Sequence, residues 1–148
     1  MKYRPCVAGM FQREDGCILI GERLDTAGAW QFAQGGIDAG ETAEMALRRE
    51  MEEELSVRSG DYEIVARRGP YRYRFPEGVK KRGFDGQEQT YFLMRFTGTD
   101  ACINVATAHP EFRRVRWIVP GEFDLAWLPD FKKDVYRAVL FDFFGVQI

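Results

Sequence analysis

The stretch GGIDAGETAEMALRREMEEELSV, residues 35–57, decides the fold of this 148-residue chain. It opens with glycines, continues as a series of residues that are mostly good helix formers, and ends in a dense group of acids. At about 100° per residue, its apolar side chains fall on one face of a helix, which we expect to face the core. The stretch therefore predicts a glycine-bearing loop that leads into an amphipathic helix.

The acids of this helix do not all lie away from the apolar face. Glu50 and Glu54 project into the apolar sector, and Glu53 lies at its edge. Residues three and four apart are neighbours on a helix surface, so these carboxylates lie within reach of one another. They would repel one another without a cation between them, and carboxylate oxygens are ligands that Mg²⁺ and Mn²⁺ prefer. The pattern indicates a metal site; the alternative is a solvated helix face, the usual place of a charge run.

The same stretch resembles the signature of the Nudix hydrolases. That signature is a glycine, five residues, a glutamate, seven residues and REUxEExGU, with U a bulky apolar residue; it matches here as Gly35, Glu41, Arg49, Glu50, Met51, Glu53, Glu54 and Val57. One position departs, because Ser56 stands where the family has a glycine, at a helix end that often needs positive φ. The resemblance implies an α/β fold, a Nudix-type α/β/α sandwich with a mixed sheet.

Composition limits the class of protein. A hydrophobic fraction of 45% and a charged fraction of 30% are typical of a globular chain, and the length suits a single domain, 1–148. The net charge of −2 supplies no global field for nucleic acid, so RNA contact would need a local patch. We find no signal peptide or membrane-spanning run, and expect a cytoplasmic protein without a membrane partner. Three scattered cysteines and one histidine favour reduced thiols over a zinc site.

The remaining chain predicts mostly strands. Apolar segments at residues 7–12 and 17–21 flank a turn at 14–16, and an extended segment at 29–33 precedes a loop at 34–40. Further strands are predicted at 62–67, 89–96 and 115–118, and a long binding loop at 67–86. Asp130 can cap a last helix that ends at Gly145, with Phe131, Val135, Val139 and Leu140 on one side.

Other phrases are similar to one branch of the Nudix family, the bacterial RNA pyrophosphohydrolases and the related dinucleoside tetraphosphate hydrolases. They lie at residues 3–5, 30–37, 86–89, 110–112 and 131–136. Two positions depart: Ala33 replaces the usual proline, and Thr90 stands where the RNA enzymes often carry a lysine. The branch implies hydrolysis of a phosphoanhydride bond in a nucleoside polyphosphate, either at the 5′-triphosphate or diphosphate end of RNA or in a dinucleoside tetraphosphate.

The resemblance also implies roles for single residues. The ligands of the divalent ions, Mg²⁺ or Mn²⁺, would be Glu50, Glu53, Glu54 and Glu111, with the backbone carbonyl of Gln34 or Gly35 as a further ligand. Either Glu53 or Glu111 would accept the proton of the attacking water. From sequence alone, a glutamate placed like Glu111, just before a strand, is ordinarily a surface residue. Arg49 would pair with Glu41 and brace the loop against the helix, as residues behind metal ligands do.

Cations interleave with aromatic residues outside the helix. Cations pair with phosphates and aromatic rings stack on bases, which suits a nucleotide that carries a polyphosphate. The substrate-binding candidates are Arg4, Arg23, Tyr73, Gln87, Phe131 and Lys132. The alternative is that the aromatic side chains fill the core and the cations solubilise a loop. His109 is predicted to be a loop residue and not a catalytic base.

Two other functions stay open at this point. One is a pyrophosphohydrolase of sugar nucleotides or damaged nucleotides, which the branch phrases do not favour. The other is a non-catalytic nucleotide-binding module, which would be expected to lack some of the helix acids. The oligomeric state does not follow from the sequence.

Overall fold

A computed structural model describes every residue from Met1 to Ile148. Its elements in chain order are β1 (Tyr3–Gln12), β2 (Ile18–Arg23), β3 (Trp30–Gln31), β4 (Ala33–Gly36), α1 (Ala43–Leu55), β5 (Tyr62–Arg74), β6 (Gly86–Phe96), β7 (Phe112–Ile118) and α2 (Asp130–Phe144), with single 3₁₀ turns between some of them. The strands form one seven-stranded sheet in the order β3-β2-β1-β6-β5, with β4 paired to β1 and β7 to β2. The sheet is mixed, because β1 and β6 run parallel and the other pairs are antiparallel.

The sheet lies between the two helices and has a hydrophobic core on each face. Alternation along β1 shows this, since Val7 and Phe11 join the core under α1, whereas Ala8 and Met10 join the core under α2. Helix α1 covers its core through the apolar stripe predicted from the sequence, which includes Leu47. This arrangement confirms the predicted α/β/α sandwich with a mixed sheet. No helix has the length and apolar character that crossing a bilayer requires.

Helix α1 has well-formed ends. Thr42 is its N-cap, and its Oγ1 accepts a hydrogen bond of 3.2 Å from the backbone N–H of Met45. At the other end Ser56 adopts the left-handed conformation, with φ of 63° and ψ of 14°. The N–H groups of Ser56 and Val57 then donate to carbonyls of the last turn, at 2.9 and 3.2 Å. The helix bounds fix the directions in which its acids point.

The predicted long loop at residues 67–86 is wrong. Strand β5 continues to Arg74 and β6 begins at Gly86, so the connection is confined to residues 75–85. The segment YRYRF alternates as a strand, and Tyr71 pairs with Gln89 and Tyr73 with Gln87. A shift of register between Arg68 and Tyr71 lets the strand pass the intervening glycine and proline.

Two shorter predictions also need correction. The loop expected to begin at residue 34 starts later, because residues 34–36 belong to β4, where Gln34 pairs with Ala8 on β1. Asp130 does not cap α2: Pro129 occupies the N-cap position, and Asp130 is the first helical residue, paired with Lys133 at 2.7 Å. The other predicted strands and the turn at 14–16 are confirmed, with small differences in their bounds. The helix ends before Gly145 as predicted.

Candidate active site

The acids of α1 divide by exposure as the helical periodicity predicts. Glu50 and Glu54 are buried, with 9% and 8% of their surface exposed. The side chain of Glu53, at the edge of the apolar sector, is 59% exposed. Carboxylates are almost never buried without partners, so two of them on the inner side of one helix require an explanation beyond folding.

Two glycines at the end of β4 leave space for charged side chains to lie against the backbone of the strand. The carboxylate of Glu50 lies against Gly35 so closely that a Cβ at Gly35 would overlap it. The guanidinium of Arg4 lies in the same way against Gly36. Glycine is needed at both positions because any side chain would displace a charged group. Since β4 pairs with β1, the backbone that receives Glu50 is held in place.

Glu54 is a buried carboxylate without a cationic partner. The backbone N–H of Gln34 donates to its Oε2 at 3.1 Å, and no Lys or Arg forms an ion pair with it. Burial raises the pKa of Glu54 well above its usual value, and the charge of Glu50 raises it further. Smaller contributions come from Glu111 and Glu53. A cation bound beside Glu54 would relieve this unfavourable electrostatic environment.

Arg49 joins the loop, the sheet edge and the helix acids. Its Nε and Nη2 both donate to the carboxylate of Glu41 at 2.8 Å, which confirms the predicted pair. The same guanidinium donates to the carbonyl of Gly36 at 2.9 Å and to Glu50 at 2.8 Å. Glu53 accepts a longer bond of 3.3 Å. Hydrogen bonds from Arg49 and from the backbone of Asp38 lower the pKa of Glu41 to about 2.

The carboxylates do not form a closed metal-binding set. No group of three or more His, Cys, Asp or Glu side chains is arranged to hold an ion. The reason is visible in their contacts, since Glu50 and Glu53 turn toward Arg49 and Glu54 toward Gln34. The donors nevertheless fit a divalent cation, because they are hard oxygens and Glu54 is buried without a cation. To surround an ion, these side chains would have to turn away from Arg49 and Gln34.

Glu111 approaches the same groove from a distant part of the chain. It is exposed, lies directly before β7, and its carbonyl accepts a hydrogen bond of 2.9 Å from the N–H of Leu24. The groove has a volume of about 750 Å³. Its lining consists almost entirely of polar and charged residues, among them Arg4, Gln31, Gln34, Glu50, Glu53, Glu54, Arg82, His109 and Glu111. The structure therefore brings all four acids and Gln34, the metal-ligand candidates, to one groove.

A buried amide network, which sequence reasoning missed in part, connects this groove to the aromatic residues. Gln89 donates from Nε2 to the Oε1 of Gln34 at 3.0 Å and to that of Gln87 at 3.2 Å. The hydroxyl of Tyr73 donates to the same Oε1 of Gln87 at 2.7 Å. The Oε1 of Gln89 is buried without a hydrogen bond. Two glutamines spaced by two, and therefore on one face of a strand rich in aromatic and apolar residues, were the signal that could have identified this network.

The aromatic residues and the second group of cations meet at the start of α2. Phe131 is half-buried, and its ring centroid lies 5.5 Å from Tyr73 and 6.1 Å from Phe75. Tyr73 itself is buried beneath it, with 7% of its surface exposed. Phe131 thus lies at the border of the core under α2, where it packs on the core and keeps part of its surface exposed.

Lys132 is a buried cation without an anionic partner. Its Nζ lies 3.4 Å from the Oε1 of Gln31, which the sequence did not identify as a neighbour, and no carboxylate pairs with it. Burial, together with the smaller effect of the charges of Arg23 and Lys81, lowers the pKa of Lys132 to about 8. Arg23 pairs with Asp25 at 2.7 Å. This part of the surface would therefore favour an anion.

Comparisons with known proteins agree with this geometry. The family described as "NUDIX domain" matches residues 2–139. The chain is 44% identical over 149 residues to an RNA pyrophosphohydrolase of Sphingopyxis alaskensis, covering 97% of this chain and 94% of that protein. It is 41% identical over 152 residues to an RNA pyrophosphohydrolase of Rhodospirillum rubrum, covering 100% of this chain and 91% of that protein.

Solved structures share the fold at low sequence identity. The dihydroneopterin triphosphate pyrophosphohydrolase of E. coli has a TM-score of 0.69 at 16% identity and covers 97% of both chains. An Ap4A hydrolase of C. elegans has a TM-score of 0.58 at 17% identity and covers 77% of this chain and 78% of its own. These likenesses concern the fold alone, whereas the family match and the closer relatives extend over nearly the whole chain. The chain therefore belongs to the Nudix hydrolase family, as its sequence predicts.

Proposed function

We propose that this Nudix hydrolase cleaves a phosphoanhydride bond at the 5′-triphosphate or diphosphate end of RNA. The observation that carries the proposal is the burial of Glu50 and Glu54 beside a polar groove, where no Lys or Arg side chain pairs with Glu54. The choice of RNA is supported by relatives of 41–44% identity that are named RNA pyrophosphohydrolases. We also propose that the protein acts in the cytoplasm and as a single domain, residues 1–148.

Nudix hydrolases generally require divalent metal ions. In this chain the ion, Mg²⁺ or Mn²⁺, would be held by Glu50, Glu53, Glu54 and Glu111, with a backbone carbonyl of Gln34 or Gly35 as a further ligand. When bound, such an ion neutralises phosphate charge and makes water a stronger nucleophile at neutral pH. Its binding would also offset the burial and the repulsion from Glu50 that raise the pKa of Glu54.

The exposed acids of the groove would carry out proton transfer. Glu53 or Glu111 would accept a proton from a water molecule whose oxygen forms the new bond to phosphorus. The bond from phosphorus to the bridging oxygen breaks, and the leaving phosphate group keeps the electron pair. Arg49 would hold Glu50 and the adjoining loop in place during this step, so its role is to position the ligands.

Cations and aromatic rings would bind the rest of the substrate. Arg4, held against Gly36 at the edge of the groove, is placed to pair with the polyphosphate. Phe131 would stack on a base, supported from below by Tyr73 and the hydroxyl bond of Tyr73 to Gln87. The burial of Lys132 without an anion suits a phosphate of the RNA chain, with Arg23 nearby.

The proposal is tested by product analysis on matched substrates. The protein is incubated with Mg²⁺ and an RNA oligonucleotide that carries a 5′-triphosphate, and in parallel with a dinucleoside tetraphosphate and a sugar nucleotide. We expect conversion of the RNA to its 5′-monophosphate form, with pyrophosphate release. The same oligonucleotide with a 5′-hydroxyl controls for cleavage elsewhere in the chain. Efficient turnover of the small nucleotides without turnover of the RNA would contradict the proposed substrate.

A further inference from the structure

The loop that carries Glu111 is attached to the end of the metal-binding helix. This loop, residues 103–111, is called the Glu111 loop below. The N–H of Asn104 donates to the carbonyl of Leu55, the last residue of α1, at 2.9 Å. The hydroxyl of Ser56 donates to the carbonyl of Asn104 at 2.8 Å. Two hydrogen bonds therefore join one loop residue to two consecutive residues at the helix end.

The rest of the Glu111 loop has fewer contacts. Ile103 and Val105 pack on the core under α1, and Ala106 donates to the side chain of Asn104 at 2.9 Å. Residues 108–110 are exposed, and the next anchor is the bond of 2.9 Å between Leu24 and the carbonyl of Glu111. The attachment at Ser56 therefore fixes the start of a segment whose residues 107–109 and 111 line the groove.

Ser56 occupies a conformation that is unfavourable for serine. Its φ is 63°, and left-handed backbone is uncommon for residues other than glycine, asparagine and aspartate. Glycine, which stands at this place in the family signature, would adopt it without a steric cost. Glycine has no side chain, however, and could not bond to Asn104. The serine therefore introduces a steric cost at the helix end and supplies a hydrogen bond to the loop that glycine could not make.

We propose that Ser56 is a positioning residue that sets the location of Glu111 relative to Glu50, Glu53 and Glu54. Ser56 is two residues beyond Glu54 on the same rigid helix end, so its hydroxyl ties the distant carboxylate to the helix ligands. The inference rests on the proposed function, because it assigns Ser56 an effect on ion binding through Glu111. Its loss would weaken ion binding without removing any ligand.

The experiment measures Mn²⁺ binding by electron paramagnetic resonance in the absence of substrate, together with the urea midpoint. The variants are Ser56→Ala, Ser56→Gly, Glu111→Gln and the double variant Ser56→Gly/Glu111→Gln. Gly145→Ser is the matched control, because it puts a serine at the left-handed residue that ends α2, where φ is 68°. That control should lower the urea midpoint and leave Mn²⁺ binding unchanged.

We expect Ser56→Ala and Ser56→Gly each to raise the Kd for Mn²⁺ about 3- to 10-fold, the range that one net hydrogen bond contributes. Ser56→Gly should have a higher urea midpoint than Ser56→Ala, because glycine relieves the left-handed strain. Amide hydrogen exchange should quicken in residues 104–110 of both variants. In the Glu111→Gln background, Ser56→Gly should cause no additional loss of affinity.

Three results would overturn the inference. All three are read from Mn²⁺ binding, whereas the proposed function would fail by a lack of turnover of triphosphorylated RNA. Unchanged Mn²⁺ affinity in both serine variants, with weakened binding in Glu111→Gln, would leave Glu111 as a ligand and remove the role of Ser56. A further loss of affinity in the double variant would show that Ser56 acts on the helix and not through Glu111. Unchanged binding in Glu111→Gln alone would reject Glu111 as a ligand, and with it this role for Ser56.

Discussion

Arg49 holds Glu41 through two parallel hydrogen bonds of 2.8 Å, from Nε to Oε2 and from Nη2 to Oε1. A planar guanidinium matches a carboxylate in this geometry, which a lysine cannot reproduce. Because the same group also donates to the carbonyl of Gly36 and to Glu50, it holds the end of β4 and the loop that follows it against the helix. The pair thus sets the geometry of the site without contributing a metal ligand.

Arg49→Lys should reduce kcat/KM about 10- to 100-fold, the usual cost of losing a residue that orients metal ligands. The positive charge remains, so the loss would come from geometry. Arg48→Lys is the matched control, because Arg48 pairs with Glu44 at 3.4 Å and lies over the ring of Tyr62, and neither contact is part of the groove. Steady-state kinetics over a Mg²⁺ titration measures both. Equal activity of the two variants would show that the bidentate pair does not position the ligands.

Lys132 should make substrate binding weaken in alkaline solution. Burial lowers its pKa to about 8, so the cation facing the substrate is lost as the pH rises through that value. We expect the KM for triphosphorylated RNA to rise above this pH in the wild type. Lys132→Arg retains its charge and should show no such rise, because arginine stays protonated in proteins. Identical KM profiles for the two proteins would exclude Lys132 from substrate binding.

The same pKa shift predicts a change in stability with the opposite sign. An unfolded lysine has a pKa of about 10.4, so between about pH 8 and that value the unfolded chain binds more protons than the folded one. The free energy of unfolding should therefore rise with pH across this window. Urea midpoints of the wild type and of Lys132→Met, compared at both ends of the window, measure the contribution. If the wild type gained no more than the variant, the cation would be solvated.

Phe131→Ala separates base stacking from core packing. Losing a stacked base would cost about 1–3 kcal/mol of binding, whereas emptying a core phenylalanine site costs about 3–5 kcal/mol of stability. Because Phe131 is only half-buried, we expect a raised KM with a small change in the urea midpoint. Phe141→Ala, on the exposed side of α2, is the control and should change neither. A collapsed midpoint with normal KM would mean that Phe131 only fills the core.

Glu54→Gln should not destabilise the metal-free protein. The variant removes the repulsion between Glu54 and Glu50, and an amide oxygen can still accept the bond from Gln34. Its Tm without metal should equal or exceed that of the wild type, by about 2–4 °C for each kcal/mol gained. Mg²⁺ should raise the Tm of the wild type much more than that of the variant, because the ion binds the native state. A large drop in the Tm of the metal-free variant would make Glu54 a structural residue.

Local periodicity accounts for what the sequence predicted well. The helical periodicity of α1 placed Glu50 and Glu54 on the inner side and Glu53 at its edge, and the match to the family signature predicted the ion pair of Glu41 and Arg49. The apolar segment at residues 7–12 likewise predicted a strand. These features depend on residues close in sequence, where backbone geometry alone determines which side chains share a face.

Contacts between elements that are distant in the chain could not be predicted in the same way. The bond from Gln89 to Gln34 joins residues 55 apart, and that from Lys132 to Gln31 joins residues 101 apart. The first depends on the order of strands in the sheet and the second on how α2 packs against β3, and no local pattern encodes either. The bond from Ser56 to Asn104 is similar, because a hydroxyl at a helix end has many possible partners. The lengths of β5 and β6 were also missed, since mutual pairing extends each beyond its apolar segment.

The central claim is that the buried carboxylates of α1 hold the ion that hydrolysis requires. The most direct measurement is pyrophosphate release from triphosphorylated RNA in Mg²⁺ by the wild type, Glu54→Gln and the exposed control Glu44→Gln. We predict a loss of at least about 10²-fold for Glu54→Gln and near-normal turnover for Glu44→Gln. We also predict no turnover by the wild type in chelator. Near wild-type release by Glu54→Gln, or by the wild type in chelator, would contradict the account.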